Sequence, residues 1–215
     1  VMRWTAQGLQ YEADPRQSER LLHELHLDEK TNGSSTPGVK VAAHQAEAEQ
    51  PLPEREFTRF RGHAARANYL SADRPDIIYA AKEVCRFMSK PTDVADAALK
   101  RMARYLRARP RLVWEFPYQK ADKLEVYTGT DYAGCVRTRK STSGGCLMLG
   151  SHVLKCWSST RAVVALSSGE AEFYGVVKGS AVGLGQRALL RDIGIEIPLR
   201  VWTGSSAAIG ICGRQ

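Results

Sequence analysis

Val126-Tyr127-Thr128-Gly129-Thr130-Asp131-Tyr132-Ala133-Gly134 is the stretch that decides how the second half of this chain folds. Its opening, residues 124–128, is apolar, aromatic and β-branched, the composition of a strand. A loop carrying Arg137, Arg139 and Lys140 follows and ends in Ser141-Thr142-Ser143-Gly144. Residues 146–149 and 153–157 then flank Gly150-Ser151, which predicts a two-residue hairpin turn. Ser167 or Ser168, with Glu170 close behind, is a helix-start signal. Gly194 closes that helix after about 25 residues. Leu199–Thr203 reads as one more strand, and Ser205 or Ser206 caps a last helix running toward Gln215. The order strand, strand, strand, helix, strand, helix predicts an α/β fold. Three strands are antiparallel, a fourth lies parallel beside the first, and helices flank the mixed sheet.

Inside the long helix, Gly175, Gly179 and Gly183 fall on one stripe. Each costs up to about 1 kcal/mol against Ala, so the stripe predicts a helix that must approach a sheet or another helix closely. Lys178 interrupts it, which removes a membrane-dimer reading.

Working toward the N-terminus, Asp14-Pro15 predicts a helix start, and Leu21, Leu22 and Leu25 follow at helical spacing. Asn32-Gly33-Ser34-Ser35-Thr36-Pro37-Gly38 breaks it. Residues 39–73, with Pro51 and Pro53, read as a linker or extended region. Residues 74–121 form a basic helical region. Pro75 opens one helix there, with Ile77, Ile78, Ala81, Val84, Cys85 and Met88 on its apolar face. Pro91 ends it, and Thr92 or Asp93 caps a second helix. Residues 74–111 hold ten basic residues against four acidic ones. Lys100, Arg101, Arg104 and Arg107 recur at helical spacing, either as a solvated face or as a stripe that tracks phosphates.

The whole chain has 215 residues, 43% hydrophobic and 25% charged, with a formal charge of +8 and a pI near 9.4. Such composition excludes a disordered or fibrous chain and permits, without proving, a polyanionic partner. No apolar run is long enough to span a bilayer, and no secretory leader is visible, so an intracellular protein in the cytoplasm or nucleus is expected. The five cysteines contain no C-x-x-C pair. Cys146, His152 and Cys156 fit no zinc spacing and read as ordinary buried thiols in a reducing compartment. A start at Val1 and a stop at Gln215 read as cuts from something longer.

Three segments stand in order: Val126 to Gly134, then Leu166-Ser167-Ser168-Gly169-Glu170-Ala171-Glu172-Phe173-Tyr174, then Val201-Trp202-Thr203-Gly204-Ser205-Ser206-Ala207-Ala208. Together they resemble the ribonuclease H domain of copia-type (Ty1/copia) retrotransposon polyproteins. Arg139-Lys140-Ser141-Thr142-Ser143-Gly144 and Trp157-Ser158-Ser159 resemble signatures of the same family. Arg74-Pro75-Asp76-Ile77 and Tyr105-Leu106 resemble its connection between reverse transcriptase and ribonuclease H, and residues 11–38 resemble the reverse transcriptase tail. The resemblance implies four regions: a reverse transcriptase tail at 1–38, the linker at 39–73, the basic connection at 74–121, and a ribonuclease H-like domain at 122–215. That last domain is expected to be truncated, without its C-terminal strand and helix.

The resemblance also implies Mg²⁺-dependent hydrolysis of RNA in an RNA–DNA hybrid, by two metal ions held on carboxylates. The family places one Asp at the end of the first strand, a Glu in the first helix, an Asp at the end of the fourth strand and a last Asp further on. Here Gly129 and Gly204 stand at the two strand positions, and the last Asp would fall past Gln215. Glu172 alone matches, as a remnant catalytic and metal-binding residue, while Asp131 is a weak substitute two residues after Gly129. No Asp-Asp dipeptide occurs, so the family's polymerase chemistry is not expected either. The expected activity is therefore lost and Mg²⁺ binding impaired. Nucleic acid remains the expected partner, through Arg101, Arg104, Arg107, Arg137, Arg139 and Lys140. Two other readings stand beside this one: a non-catalytic nucleic-acid-binding or scaffolding module, and a decayed relic.

Overall fold

A computed structural model describes residues 1–27 and 30–214; Asp28, Glu29 and Gln215, where the last helix was expected to be cut, lie outside the described residues. The chain divides into two compact units, residues 1–115 and 116–215.

In the first unit, strands β1 (Met2–Thr5) and β2 (Gly8–Glu12) form an antiparallel hairpin with Met2 opposite Tyr11. Helix α1 (Pro15–Glu24) starts as expected, where the Asp14 carboxylate accepts the Arg16 N–H at 3.1 Å. The 39–73 stretch departs from the expected linker. It holds helices α2 (Ala43–Glu47) and α3 (Phe57–Leu70), and α3 is a core element. Phe60, His63, Ala64, Ala67 and Leu70 make its buried stripe. Most of that stripe is alanine and histidine, which lowers its hydropathy contrast while leaving helix propensity high.

A 3₁₀ turn at Pro75–Ile77 leads into helix α4 (Ile78–Cys85). Thr92 then caps helix α5 (Asp93–Ala108), accepting the Ala95 N–H at 3.3 Å. Strand β3 (Val113–Pro117) completes a sheet in the order β1-β2-β3. Leu21, Phe60, Ile77, Leu99, Met102 and Leu106 form the centre of the core and are fully buried. The Arg74-Pro75-Asp76-Ile77 motif has a structural task here. Arg74 is 2% exposed. Its guanidinium grips Asp76 through Nε (3.0 Å) and Nη2 (2.7 Å) and donates to the carbonyls of Arg109 (2.8 Å) and Pro110 (3.2 Å). Tyr105 Oη donates to Asp76 at 3.0 Å. The motif therefore ties the start of α4 to the C-terminal end of α5, where helix carbonyls lack partners of their own.

The second unit carries the expected mixed α/β sheet. Strands β4 (Leu124–Asp131), β5 (Thr142–Leu149), β6 (His152–Thr160) and β7 (Leu199–Thr203) lie in the order β6-β5-β4-β7. β4 pairs antiparallel with β5 and parallel with β7, and β5 pairs antiparallel with β6. The β5–β6 turn is Gly150-Ser151, with Gly150 at φ 57°, a backbone region that glycine enters freely. Helix α6 (Ser168–Asp192) and helix α7 (Ser206–Cys212) flank the sheet. Ser167 Oγ accepts the Glu170 N–H at 3.1 Å, and Glu170 accepts the Leu166 N–H at 2.8 Å. At the other end, the Gly194 and Ile195 N–H groups return to Arg191 and Leu190, a Schellman closure.

The glycine stripe of α6 lies flat on the sheet. A Cβ at Gly175 would stand 2.5 Å from Thr130 Oγ1, one at Gly179 3.0 Å from Val126, and one at Gly183 2.7 Å from Leu199. The helix thus runs antiparallel to β4, and its N-terminal turns sit at the C-terminal end of that strand.

Candidate functional site

The last register pair between β4 and β7 is Thr128 opposite Thr203. Gly129 and Gly204 follow on each strand, so the two glycines end up beside one another, on strands about 4.8 Å apart. A Cβ at either position would meet nothing within 4 Å. The backbone thus leaves room for side chains at both positions.

Burial alternates along β4: Val126 and Thr128 are buried, whereas Tyr127 and Gly129 are exposed. The first pair faces α6, since Gly179 lies against Val126 and Thr128. Gly129 therefore lies on the sheet face away from α6. Glu172 comes one turn before Gly175, which lies over Thr130 and receives a 3.1 Å hydrogen bond from Thr128 Oγ1 at its carbonyl. This brings Glu172 to the same end of the sheet as both glycines, on the helix side. Its Oε2 is buried and has no hydrogen-bond partner among the described residues. A buried carboxylate oxygen without a donor is costly, which marks this position as unusual within the unit.

Asp131 is occupied elsewhere. Its Oδ1 accepts the Thr142 N–H, and its carboxylate fills the space where a Gly134 side chain would go. It pins the start of the loop that leads to β5. Among the described residues named at this end of the sheet, Glu172 is the carboxylate left with an unpartnered oxygen. Among the described residues, no group of three His, Cys, Asp or Glu is placed to hold a metal ion. The residues described do not make an oxygen cage for Mg²⁺.

The candidate phosphate contacts divide between the two units. In the first, Arg101, Arg104 and Arg107 are half-buried on α5 rather than freely solvated. The chain's own residues 33–36 lie along them. Arg101 Nη2 donates to Thr36 Oγ1 at 2.8 Å, the Ser34 N–H reaches the Arg104 carbonyl at 3.3 Å, and Gly33 abuts Ala108. Lys100 pairs with Asp96 at 2.8 Å. In the second unit, the loop of Arg137, Arg139 and Lys140 is a folded turn. The Arg139 N–H donates to the Cys135 carbonyl at 2.8 Å, the Cys135 N–H to the Lys140 carbonyl at 3.2 Å, and the Ala133 N–H to buried Ser141 Oγ at 3.0 Å. Arg139 is exposed at the tip, with φ 55°.

A second basic cluster escaped the sequence reading. Arg161 follows the end of β6, and its guanidinium stands 5.3 Å from the Tyr174 ring centroid on α6. Its Nε and Nη2 are buried without hydrogen-bond partners among the described residues. Lys178, one turn past Tyr174, donates to Ser159 Oγ on β6. Burial, with Arg161 and Lys155 nearby, pushes the Lys178 ammonium below its usual range, and burial does the same to Arg161. Among the described residues, no carboxylate pairs with either cation. The signal lay in Tyr174 and Lys178 at i, i+4. Arg161 sits alone before an apolar run and carried none.

Comparison with known proteins places this geometry in context. The chain is 35% identical over 150 residues to the uncharacterized mitochondrial protein AtMg00810 of Arabidopsis thaliana, covering 68% of this chain and 59% of that one. It is 32% identical over 157 residues to the retrovirus-related Pol polyprotein from transposon RE1 of the same plant, covering 72% of this chain and 11% of the polyprotein. It is also 37% identical over 100 residues to the secreted RxLR effector protein 161 of Plasmopara viticola, covering 46% of this chain and 70% of that protein. The chain therefore spans 59% and 11% of these first two relatives. No family model matches the chain, and no solved structure matches it. Among the described residues, no helix is long and apolar enough to cross a membrane.

Proposed function

Because this chain belongs to the family of copia-type retrotransposon Pol polyproteins, we propose that it is a polyprotein fragment whose second unit is a ribonuclease H-like domain without hydrolytic activity. One observation carries this reading. Gly129 and Gly204 stand side by side at the ends of parallel strands, each with open space for a side chain, at the sheet end where Glu172 has an unpartnered carboxylate oxygen. Two-metal hydrolysis needs several oxygen ligands around paired cations, and two glycines supply no charge. The lineage's Mg²⁺-dependent cleavage of RNA in RNA–DNA hybrids has no carboxylate set to run on among the described residues.

A second reading, retention of nucleic-acid binding without cleavage, is favoured by the Arg161–Lys178 cluster and the Arg139 loop tip. These cations have no carboxylate partners among the described residues, and cations without acidic partners are what a phosphate backbone neutralises. Incubation with a labelled RNA–DNA hybrid and Mg²⁺ tests both readings together. Binding that weakens linearly with the logarithm of salt concentration, without product, supports them. Cleavage that disappears in Glu172→Gln overturns the loss of activity, and salt-insensitive binding overturns the phosphate-contact reading.

A further inference from the structure

Cys146 and Cys156 stand directly opposite one another on β5 and β6. The hydrogen-bond phase of the ladder says which kind of pair they are. The Arg161 N–H donates to the Ser141 carbonyl at 2.8 Å, so residues 141 and 161 are a hydrogen-bonded pair. The register then runs unbroken from Thr142 opposite Thr160 to Cys146 opposite Cys156, and its irregularity begins only after Leu147. Hydrogen-bonded and non-hydrogen-bonded pairs alternate in antiparallel sheets, so the two cysteines occupy a non-hydrogen-bonded pair, with Cα atoms about 4.5 Å apart. That spacing lies within the range of about 4.4–6.8 Å that disulfides span.

The side chains agree with the backbone. The two thiols face each other across the ladder, and both residues are half-buried. Their interaction lowers Cys156 to about 7 and pushes Cys146 well above the usual thiol range. A large fraction of Cys156 is thiolate at neutral pH, and the thiolate is the reactive form. Of the other cysteines, Cys85 lies in the first unit, bonded to the Ala64 carbonyl at 3.4 Å, and Cys212 is exposed on α7.

We propose that Cys146 and Cys156 form an intrachain disulfide when the protein meets a low-molecular-weight disulfide such as glutathione disulfide. The Cys156 thiolate attacks one glutathione sulfur, the glutathione S–S bond breaks, and one glutathione thiolate leaves. Cys146 then loses its proton to water and attacks the Cys156 sulfur, expelling the second glutathione. Two protein thiols are oxidised and one small disulfide is reduced to two thiols. The product ties edge strand β6 covalently to β5, and an excess of small thiol reverses it. This proposal does not depend on the hydrolytic state of the second unit.

The test treats the full chain with glutathione disulfide, denatures it, alkylates it and reads the mass and the linked peptides. The expected result is a fall from five alkylated cysteines to three, with one cross-link joining the peptides of Cys146 and Cys156, reversed by dithiothreitol. Cys146→Ser should trap a stable glutathione adduct on Cys156. Cys156→Ser should form no cross-link and react about tenfold more slowly at neutral pH. The reaction of the unaltered chain should accelerate with pH and level off above about 7. Five alkylated cysteines after oxidation, or a cross-link joining any other pair, would overturn the proposal without the need for any variant.

Discussion

Arg74 carries a full charge at 2% exposure, and that choice shapes the first unit. Its guanidinium spends its donors on Asp76 and on two carbonyls past the end of α5. Arg74→Ala would strand the Asp76 carboxylate and both carbonyls, and removing one partner of such a buried pair costs about 3–5 kcal/mol. Chemical denaturation should show that loss, while Arg16→Ala, in the exposed pair with Asp14, should leave the denaturation midpoint almost unchanged. His63 adds a pH dependence. It is buried beside Glu24, Arg59 and Arg66, and burial outweighs the pull of Glu24 to hold its imidazole below the ordinary 6.5. The unfolded chain then binds the proton first as pH falls through 6.5, so stability is fully present above that pH and declines below it, levelling off under the folded-state value. Denaturation midpoints between pH 7 and 5.5 should fall in the unaltered protein and flatten in His63→Gln.

At the scale of elements, the second unit was almost fully legible. Ser167 with Glu170, the Gly150-Ser151 turn and Gly194 are each local devices whose chemistry is complete within a few residues. Helix α3 was hidden because only Phe60 and Leu70 mark the ends of its buried stripe, while the His63, Ala64 and Ala67 between them read as buried only once their neighbours are in place. Arg161 and Lys178 were hidden for the same reason, since their meeting depends on how α6 lies across the sheet. The glycine stripe yields a paired prediction. Gly175→Ala would press a methyl group against Thr130, whose hydroxyl is held at 3.0 Å from Ser143. An overpacking cost of about 1–3 kcal/mol should exceed the helix-propensity gain of about 1 kcal/mol. Gly185→Ala, in open space on the same helix, should instead raise the melting temperature, with a gain of about 0.5–1 kcal/mol.

For the whole molecule, the +8 charge resolves into parts of different standing. On α5, the Arg101 side chain is tied to the chain's own Thr36 and the Arg104 carbonyl to Ser34, whereas Arg139 and the Arg161–Lys178 cluster belong to the second unit and have no acidic partners among the described residues. Composition reports the excess but not its distribution, and distribution decides which cations are available to phosphates. Hybrid affinity should therefore depend more on the second-unit cations than on the α5 stripe. Combined Arg161→Ala and Lys178→Ala should reduce the slope of log affinity against log salt by about one per lost contact, and Arg101→Ala should change it less. The proposed loss of hydrolysis turns on Gly129 and Gly204. A labelled RNA–DNA hybrid incubated with the chain and Mg²⁺ tests that claim most directly: uncleaved RNA is the predicted result, and RNA cleavage abolished by Glu172→Gln would contradict it.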